Sequence, residues 1–225
     1  RDDVYARGLG DGVLDSAFRT VVNRTKMPLL PPDLMAKSNF SIPIAVQAVL
    51  QAAYMGAMII APFLLERRWG FRPTVIGLLM LPRPLAFAVA AKLGGNHDFA
   101  KGARRVSITG CLVFAIAMLI AGIGAQQKWL SVFIFGAGLA GAGSGYIRAT
   151  IANAATSAAG DQDLGVAGGS LNMLQMVGGT VGITLATAML GTSSSGSRFM
   201  AIHLAAGITA LLAASLATKI EKPTD

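Results

Sequence analysis

Charge is what this chain has least of. Asp, Glu, Lys and Arg together make up 13% of its 225 residues, about half the roughly 25% usual in a soluble domain. What charge there is avoids long tracts. Residues 38–65, 106–127, 129–147, 164–197 and 199–218 contain none, and residues 73–91 contain only Arg83. Soluble domains of this length need a charged shell that these tracts cannot supply. A single cysteine, Cys111, excludes an internal disulfide. With only two histidines, His97 and His203, the chain falls short of the four ligands of a closed zinc site. No glycine-rich loop leads into a Lys that could cradle phosphate, so the chain does not hydrolyse ATP by itself. No serine elbow with nearby His and Asp stands out, and no nucleophile, acid or base set converges. Neither enzymatic activity, a metal nor a cofactor is expected.

What remains is apolar. Hydrophobic residues account for 53% of the chain, and glycine is abundant at 27 residues. A helix needs about 20 apolar residues to cross a bilayer, so the six tracts read as six membrane spans and the chain as an all-α membrane protein. Residues 1–41 form a polar lead-in, 42–217 the six-span body and 218–225 a short tail. Within the lead-in, Val13, Leu14, Ala17, Phe18, Val21 and Val22 recur at helical spacing. They predict an amphipathic helix at a membrane surface, with a polar linker as the alternative. Pro28, Pro31 and Pro32 are expected to stop any helix before the first span. Between spans, residues 66–73 read as a tight charged turn, 92–105 as a polar loop and 156–163 as a flexible polar segment.

The net charge of +8 might suggest nucleic acid, but the basic residues sit in the gaps between spans and form no patch. Membrane-side placement explains them, and no nucleic-acid partner is expected. Placing both ends in the cytoplasm puts Lys37, Lys92, Lys101, Arg104, Arg105, Lys219 and Lys222 inside, with the basic residues of the lead-in. Arg67, Arg68, Arg72, Lys128 and Arg198 then fall outside, as do Trp69 and Trp129, whose rings anchor at an interface. The chain begins with Arg1 rather than Met, so it is expected to be the C-terminal piece of a longer protein, or else a processed or incompletely read chain.

Polar residues inside the spans are the candidate site. Gln47, Gln51 and Tyr54 lie at i, i+4 and i+7, on one face of a helix. Asn172 and Gln175 make a second cluster. Both sets line a substrate pathway or bond between helices. Arg83 sits mid-span between Pro82 and Pro84, where a centred Arg costs roughly 2.5 to 3.5 kcal/mol. It is expected to face a cavity and bind an anion or a carboxylate from elsewhere, or else to be structural. Arg148 is expected to snorkel toward the inner end of span four. His203 reads as packed or pore-facing, and Cys111 as a packing or lipid-facing residue. Gly136, Gly138 and Gly141 spell G-x-G-x-x-G, yet lie inside a span rather than between a strand and a helix. With Gly143 and Gly145 they predict close helix packing, as do the pairs Gly141/Gly145, Gly165/Gly169 and Gly178/Gly182.

Six spans, a polar lead-in and the segment from Gly94 to Arg105 resemble the C-terminal half of a major facilitator superfamily transporter. Gly95, Asp98, Gly102, Arg104 and Arg105 resemble that family's inner-loop signature, although Asp98 to Gly102 is one residue longer than usual and Phe99 replaces a common basic residue. The entry from Pro28 to Phe40, the run from Gly77 to Pro82, and Gly168, Gly169, Asn172, Gly178 and Gly179 resemble the fourteen-span drug:proton antiporters. Arg83 departs from the small residue expected there. The resemblance covers about residues 27–217. It implies half of a major facilitator fold, built from two three-helix inverted repeats. It also implies alternating access, proton-driven efflux of drugs or small amphipathic compounds, and a gating role for the five inner-loop residues. The partners implied are a small-molecule substrate, protons, the bilayer of the cell's inner (plasma) membrane, and a missing N-terminal half or a second copy. The alternatives are an organic-anion or metabolite transporter using Arg83, and a non-transporting scaffold or half-size protein.

Overall fold

The computed structural model describes residues 32–160, 163–191 and 195–220. Among them all regular structure is helical. A single turn, α1 (Pro32–Met35), precedes α2 (Ser38–Trp69), α3 (Pro73–Met80), α4 (Pro82–Lys101), α5 (Ala103–Gln127), α6 (Leu130–Ala159), α7 (Leu164–Leu190) and α8 (Gly196–Ala217). Since α3 and α4 together make one crossing, six stretches are long and apolar enough to span a membrane. The amphipathic helix expected between Val13 and Val22 lies outside the described residues, as do Asp161 and the side chain of Asp98.

Local chemistry sets where these helices begin and end. Pro32 was expected to stop a helix and instead starts one, because a first-turn proline loses no helical bond and arrives with its φ already set. Pro73 opens α3 for the same reason. Gly70 ends α2 in the left-handed conformation, φ 70°, and its N–H donates to the carbonyl of Glu66 at 2.9 Å. At 32 residues α2 is about 48 Å long, longer than the apolar tract that announced it. The polar loop expected over residues 92–105 does not form. Helix α4 runs through to Lys101, and the chain turns only at Gly102, φ 80°. Lys92, Asn96 and His97 are compatible with a helix emerging from the bilayer, and only a residue free of Cβ supplies the turn. The flexible segment expected at 156–163 is likewise shorter, because α6 continues to Ala159. Span two is broken where α3 meets α4, at Leu81, since Pro82 has no N–H to continue the ladder.

Helix α6 packs chiefly on α5 and α4, α8 on α5 and α2, and α2 on α7. Number the crossings one to six and exchange one, two, three with four, five, six. Every one of these pairings maps onto another or onto itself, as two related three-helix repeats require. The crossings that bury least are the second and the fifth, α3–α4 and α7, which are also partners under that exchange. Their outer faces carry Leu78, Leu85 and Val89, and Met176, Val181 and Leu185, side chains suited to hydrocarbon.

Glycines set the close contacts. A Cβ on Gly141 or Gly145 of α6 would run into the backbone carbonyls of Arg83 and Phe87 on α4, and one on Gly178 or Gly182 of α7 into those of Ala48 and Ala52 on α2. Gly136 and Gly143 face the backbone of α5 at Ala121 and Phe114. The G-x-G-x-x-G run therefore admits neighbouring helices, as its position within a span predicts. The pair Gly165/Gly169 differs, for nothing lies within 4 Å of either. Both fall in the opening turns of α7, before that helix meets α2.

The ends expected to be external are tied by arginines. Arg68 Nη2 donates to the carbonyl of Gln126, at the end of α5, at 3.0 Å. Arg67 Nη1 donates to that of Gly191 at 3.4 Å, and Arg198 Nη1 to that of Leu190 at 3.3 Å, both at the end of α7. The last carbonyls of a helix lack intrahelical partners and carry the negative end of its dipole, so a guanidinium there satisfies both. This accounts for Arg67 and Arg68, two basic residues of a turn expected to be external.

Replacing Arg68 with Gln should therefore lower stability by about 1.5 to 3 kcal/mol, the worth of a hydrogen bond to a charged group. Thermal unfolding of the purified full-length protein in detergent reads it. The same assay should separate Gly182→Leu, which forces α7 away from α2 and abolishes the folded fraction, from Gly165→Leu, which is silent.

Candidate functional site

Five residues of α2, namely Gln47, Leu50, Gln51, Tyr54 and Met55, share one face at helical spacing. With Pro84 and Phe87 of α4 and Ser144 and Arg148 of α6 they line a cavity of about 210 Å³. Tyr54 and Ser144 fall near the middle of their helices, which places the cavity at mid-height of the bundle. Its wall is mostly apolar, with two amides, a hydroxyl, a phenol and one guanidinium as polar groups. No lining residue carries a carboxylate.

Tyr54 anchors the aromatic side. Its ring centroid lies 6.3 Å from that of Phe87 and 6.3 Å from that of Phe114, both tilted. Arg83 supports it from behind. The Arg83 guanidinium sits 4.3 Å from the Tyr54 ring centroid, and its Nη2 donates to the Tyr54 carbonyl at 3.0 Å. Arg83 is buried and is not among the lining residues. A desolvated cation–π contact is worth about 2 kcal/mol and a charge-assisted hydrogen bond about 1.5 to 3 kcal/mol. Together these offset the roughly 2.5 to 3.5 kcal/mol cost of a mid-span Arg without an anion. Its Nε remains unpartnered.

The second polar cluster meets the first through Arg148. Its Nη1 donates to Gln175 Oε1 at 3.2 Å, joining α6 to α7 beside the cavity. Arg148, expected to snorkel, is exposed and lines the cavity, where Gln175 on the adjoining helix offers it an acceptor. Gln175 is buried, whereas Asn172 is exposed one turn away and does not line the cavity. Arg148 and Ser144 could have been read from sequence as an i, i+4 polar pair on span four, the signal that marks Gln47 and Gln51. Phe87, Met55 and Leu50 carry no such signal.

Of the inner-loop residues, Gly95, Gly102, Arg104 and Arg105 have described surroundings. Gly95 faces the Ala149 Cβ, Gly102 forms the turn between α4 and α5, and Arg104 and Arg105 are exposed. Just above them His97 Nδ1 lies 2.7 Å from Tyr146 Oη, the rings edge to face. His203 is packed, with Nδ1 2.7 Å from the Phe199 carbonyl and its ring edge-on to Phe133. Cys111 is fully buried.

Six helices long and apolar enough to cross a membrane, packed around a small cavity, fit an integral membrane protein. No protein-family model matches the chain. It is similar to multidrug resistance protein Stp of Mycobacterium tuberculosis, 24% identical over 173 residues, 77% of this chain and 32% of that protein. It is also similar to multidrug transporter protein MdtP of Bacillus subtilis, 25% identical over 179 residues, 79% of this chain and 33% of that one. Puromycin resistance protein pur8 of Streptomyces alboniger is 28% identical over 201 residues, 87% and 39% of the two chains. The chain spans about a third of the length of the first two relatives. It is a homologue of proteins named as multidrug transporters, and its six apolar helices fit half of a major facilitator fold. These relatives are named as transporters or resistance proteins, not enzymes.

If Arg83 is held by the Tyr54 ring, Tyr54→Phe should leave unfolding unchanged. Tyr54→Leu should destabilise by about 2 kcal/mol. Arg83→Met should lie near neutral, since an apolar side chain of similar volume removes a buried charge. Thermal melts of the three full-length variants check all of these.

Proposed function

We propose that this chain is the C-terminal part of a secondary active transporter that exports drugs or small amphipathic compounds, driven by proton entry, through alternating access. The observation that carries the proposal is the cavity at mid-height of the bundle between α2, α4 and α6. A drug-sized amphipath needs apolar walls and a few fixed polar groups. Leu50, Met55, Pro84 and Phe87 supply the first, and Gln47, Gln51, Tyr54, Ser144 and Arg148 the second. The similarity to proteins named for multidrug and puromycin resistance supports the same reading.

In this mechanism the substrate meets the cavity from one side of the membrane, and a second half of the protein closes over the opposite face. Gln51 and Ser144 orient the polar part of the substrate, and Phe87 and Met55 hold its apolar body. Arg83 acts through Tyr54, fixing the ring against which the substrate lies. Gly95, Asp98, Gly102, Arg104 and Arg105 gate the inner face between spans two and three, and both ends of the chain face the cytoplasm of a cell whose inner membrane holds the protein. Proton-binding groups are assigned to the remainder of the protein.

The test uses the full-length protein in everted membrane vesicles. An imposed proton gradient should drive accumulation of amphipathic dyes, and collapsing the gradient with an ionophore should stop it. Phe87→Ala and Gln51→Leu should raise KM by roughly three- to tenfold, the worth of one hydrogen bond or small contact. Vesicles that accumulate no dye above those lacking the protein would overturn the proposal.

A further inference from the structure

Two residues of the cavity hold polar capacity that the protein leaves unused. Gln47 is only 4% exposed and lines the cavity, and among the described residues its Oε1 has no hydrogen-bond partner. A buried acceptor left without a donor is unfavourable, and a donor brought into the cavity relieves it once the amide turns toward it. Arg148 lines the same cavity, and among the described residues its one hydrogen bond is to a neutral amide, Gln175 Oε1. A guanidinium has five N–H donors, so most of its capacity is open. No carboxylate lines the cavity to neutralise it. Arg148 is itself exposed, and its uncompensated charge makes this wall attract anions and repel cations. Arg83 does not contribute a free charge here, being committed to Tyr54.

We infer that the cavity takes an amphipathic organic anion. Its carboxylate, sulfonate or phosphate accepts from Arg148, a hydroxyl or N–H on the same molecule donates to Gln47 Oε1, and its flat apolar body lies on Phe87 and Met55. The cavity of about 210 Å³ is smaller than the ~300 to 1,000 Å³ of a complete drug-sized site. It therefore seats the polar head and adjoining ring, while the rest of the molecule extends beyond it. Only the fate of the bound anion rests on the transport reading above; its recognition does not.

Two xanthene dyes of opposite charge test this: fluorescein, an anion with a hydroxyl donor, and rhodamine 123, a cation. Their binding to the purified full-length protein in lipid nanodiscs is read by fluorescence anisotropy, and their movement in everted vesicles by flux. Fluorescein should bind more tightly than rhodamine 123. Arg148→Gln should raise the fluorescein Kd about tenfold or more, the loss of a charge-assisted hydrogen bond, while lowering that of rhodamine 123. Arg148→Lys, which keeps the charge, should retain the order of preference and guards against a folding defect. Gln47→Leu should weaken fluorescein more than a methylated fluorescein that lacks the free hydroxyl. Tighter binding of rhodamine 123 by the unmodified protein, or parallel changes in both dyes on Arg148→Gln, would overturn the inference. Fluorescein that binds through Arg148 but does not move across the vesicle would sustain the inference and sink the transport reading instead.

Discussion

Hydrocarbon offers no hydrogen-bond partner, and nearly every feature of this chain follows from having to satisfy its backbone without water. Helices do this along their length, which is why all described structure is helical. Their ends are the difficulty, and arginines from neighbouring helices answer it at Gln126, Leu190 and Gly191. Hydroxyls obey the same rule. Ser144, Thr180, Thr184 and Thr187 each donate to a carbonyl one turn back, so these four are quenched by their own helices, whereas the buried Ser107 hydroxyl has no partner among the described residues. Against this background an unquenched group is informative, which is why Gln47 Oε1 and the open donors of Arg148 define the cavity better than its shape does.

The second organising fact is economy of side chain at the contacts. Between membrane helices there is no gain from excluding water, so attraction depends on close approach. Glycine on α6 and α7 brings backbone against backbone, and buried alanines such as Ala117, Ala121, Ala210 and Ala213 keep the packed faces of α5 and α8 small. The pairing of α6 with α4 corresponds to that of α2 with α7 when the two triplets are exchanged. The cavity forms where that packing leaves space, beside the first and fourth crossings.

The number of spans and their approximate limits were legible because twenty apolar residues without charge admit few other structures. The boundaries were less so. Charge marks where a span leaves the bilayer, not where its helix ends, so α4 runs on to Lys101 and α2 exceeds its apolar tract. At the site, Gln47, Gln51 and Tyr54 could be grouped because one helix period brings them together. Arg83 and Arg148 could not be sorted in the same way. Both are arginines within spans, and only three-dimensional placement shows that the first has an aromatic ring beneath it while the second faces open space. Periodicity within a helix reports a face; it says nothing of what lies across from it. Gly165 and Gly169 show the converse, a packing pattern with no helix opposite.

The glycine contacts of α6 have a mechanical consequence. Interlocking side chains resist both separation and lengthwise sliding, since ridges must climb over one another. Where Gly141 and Gly145 present bare backbone to Arg83 and Phe87, the teeth are missing. Separation still costs the full dispersion contact, while displacement along the helix axis is opposed by the His97–Tyr146 and Thr150–Gly94 contacts further along the seam rather than by ridges at these glycines. At these glycines the α4–α6 seam is thus a rail, suited to the small shear between packed helices by which domains change shape. The break at Leu81 lets α4 travel along it without carrying α3.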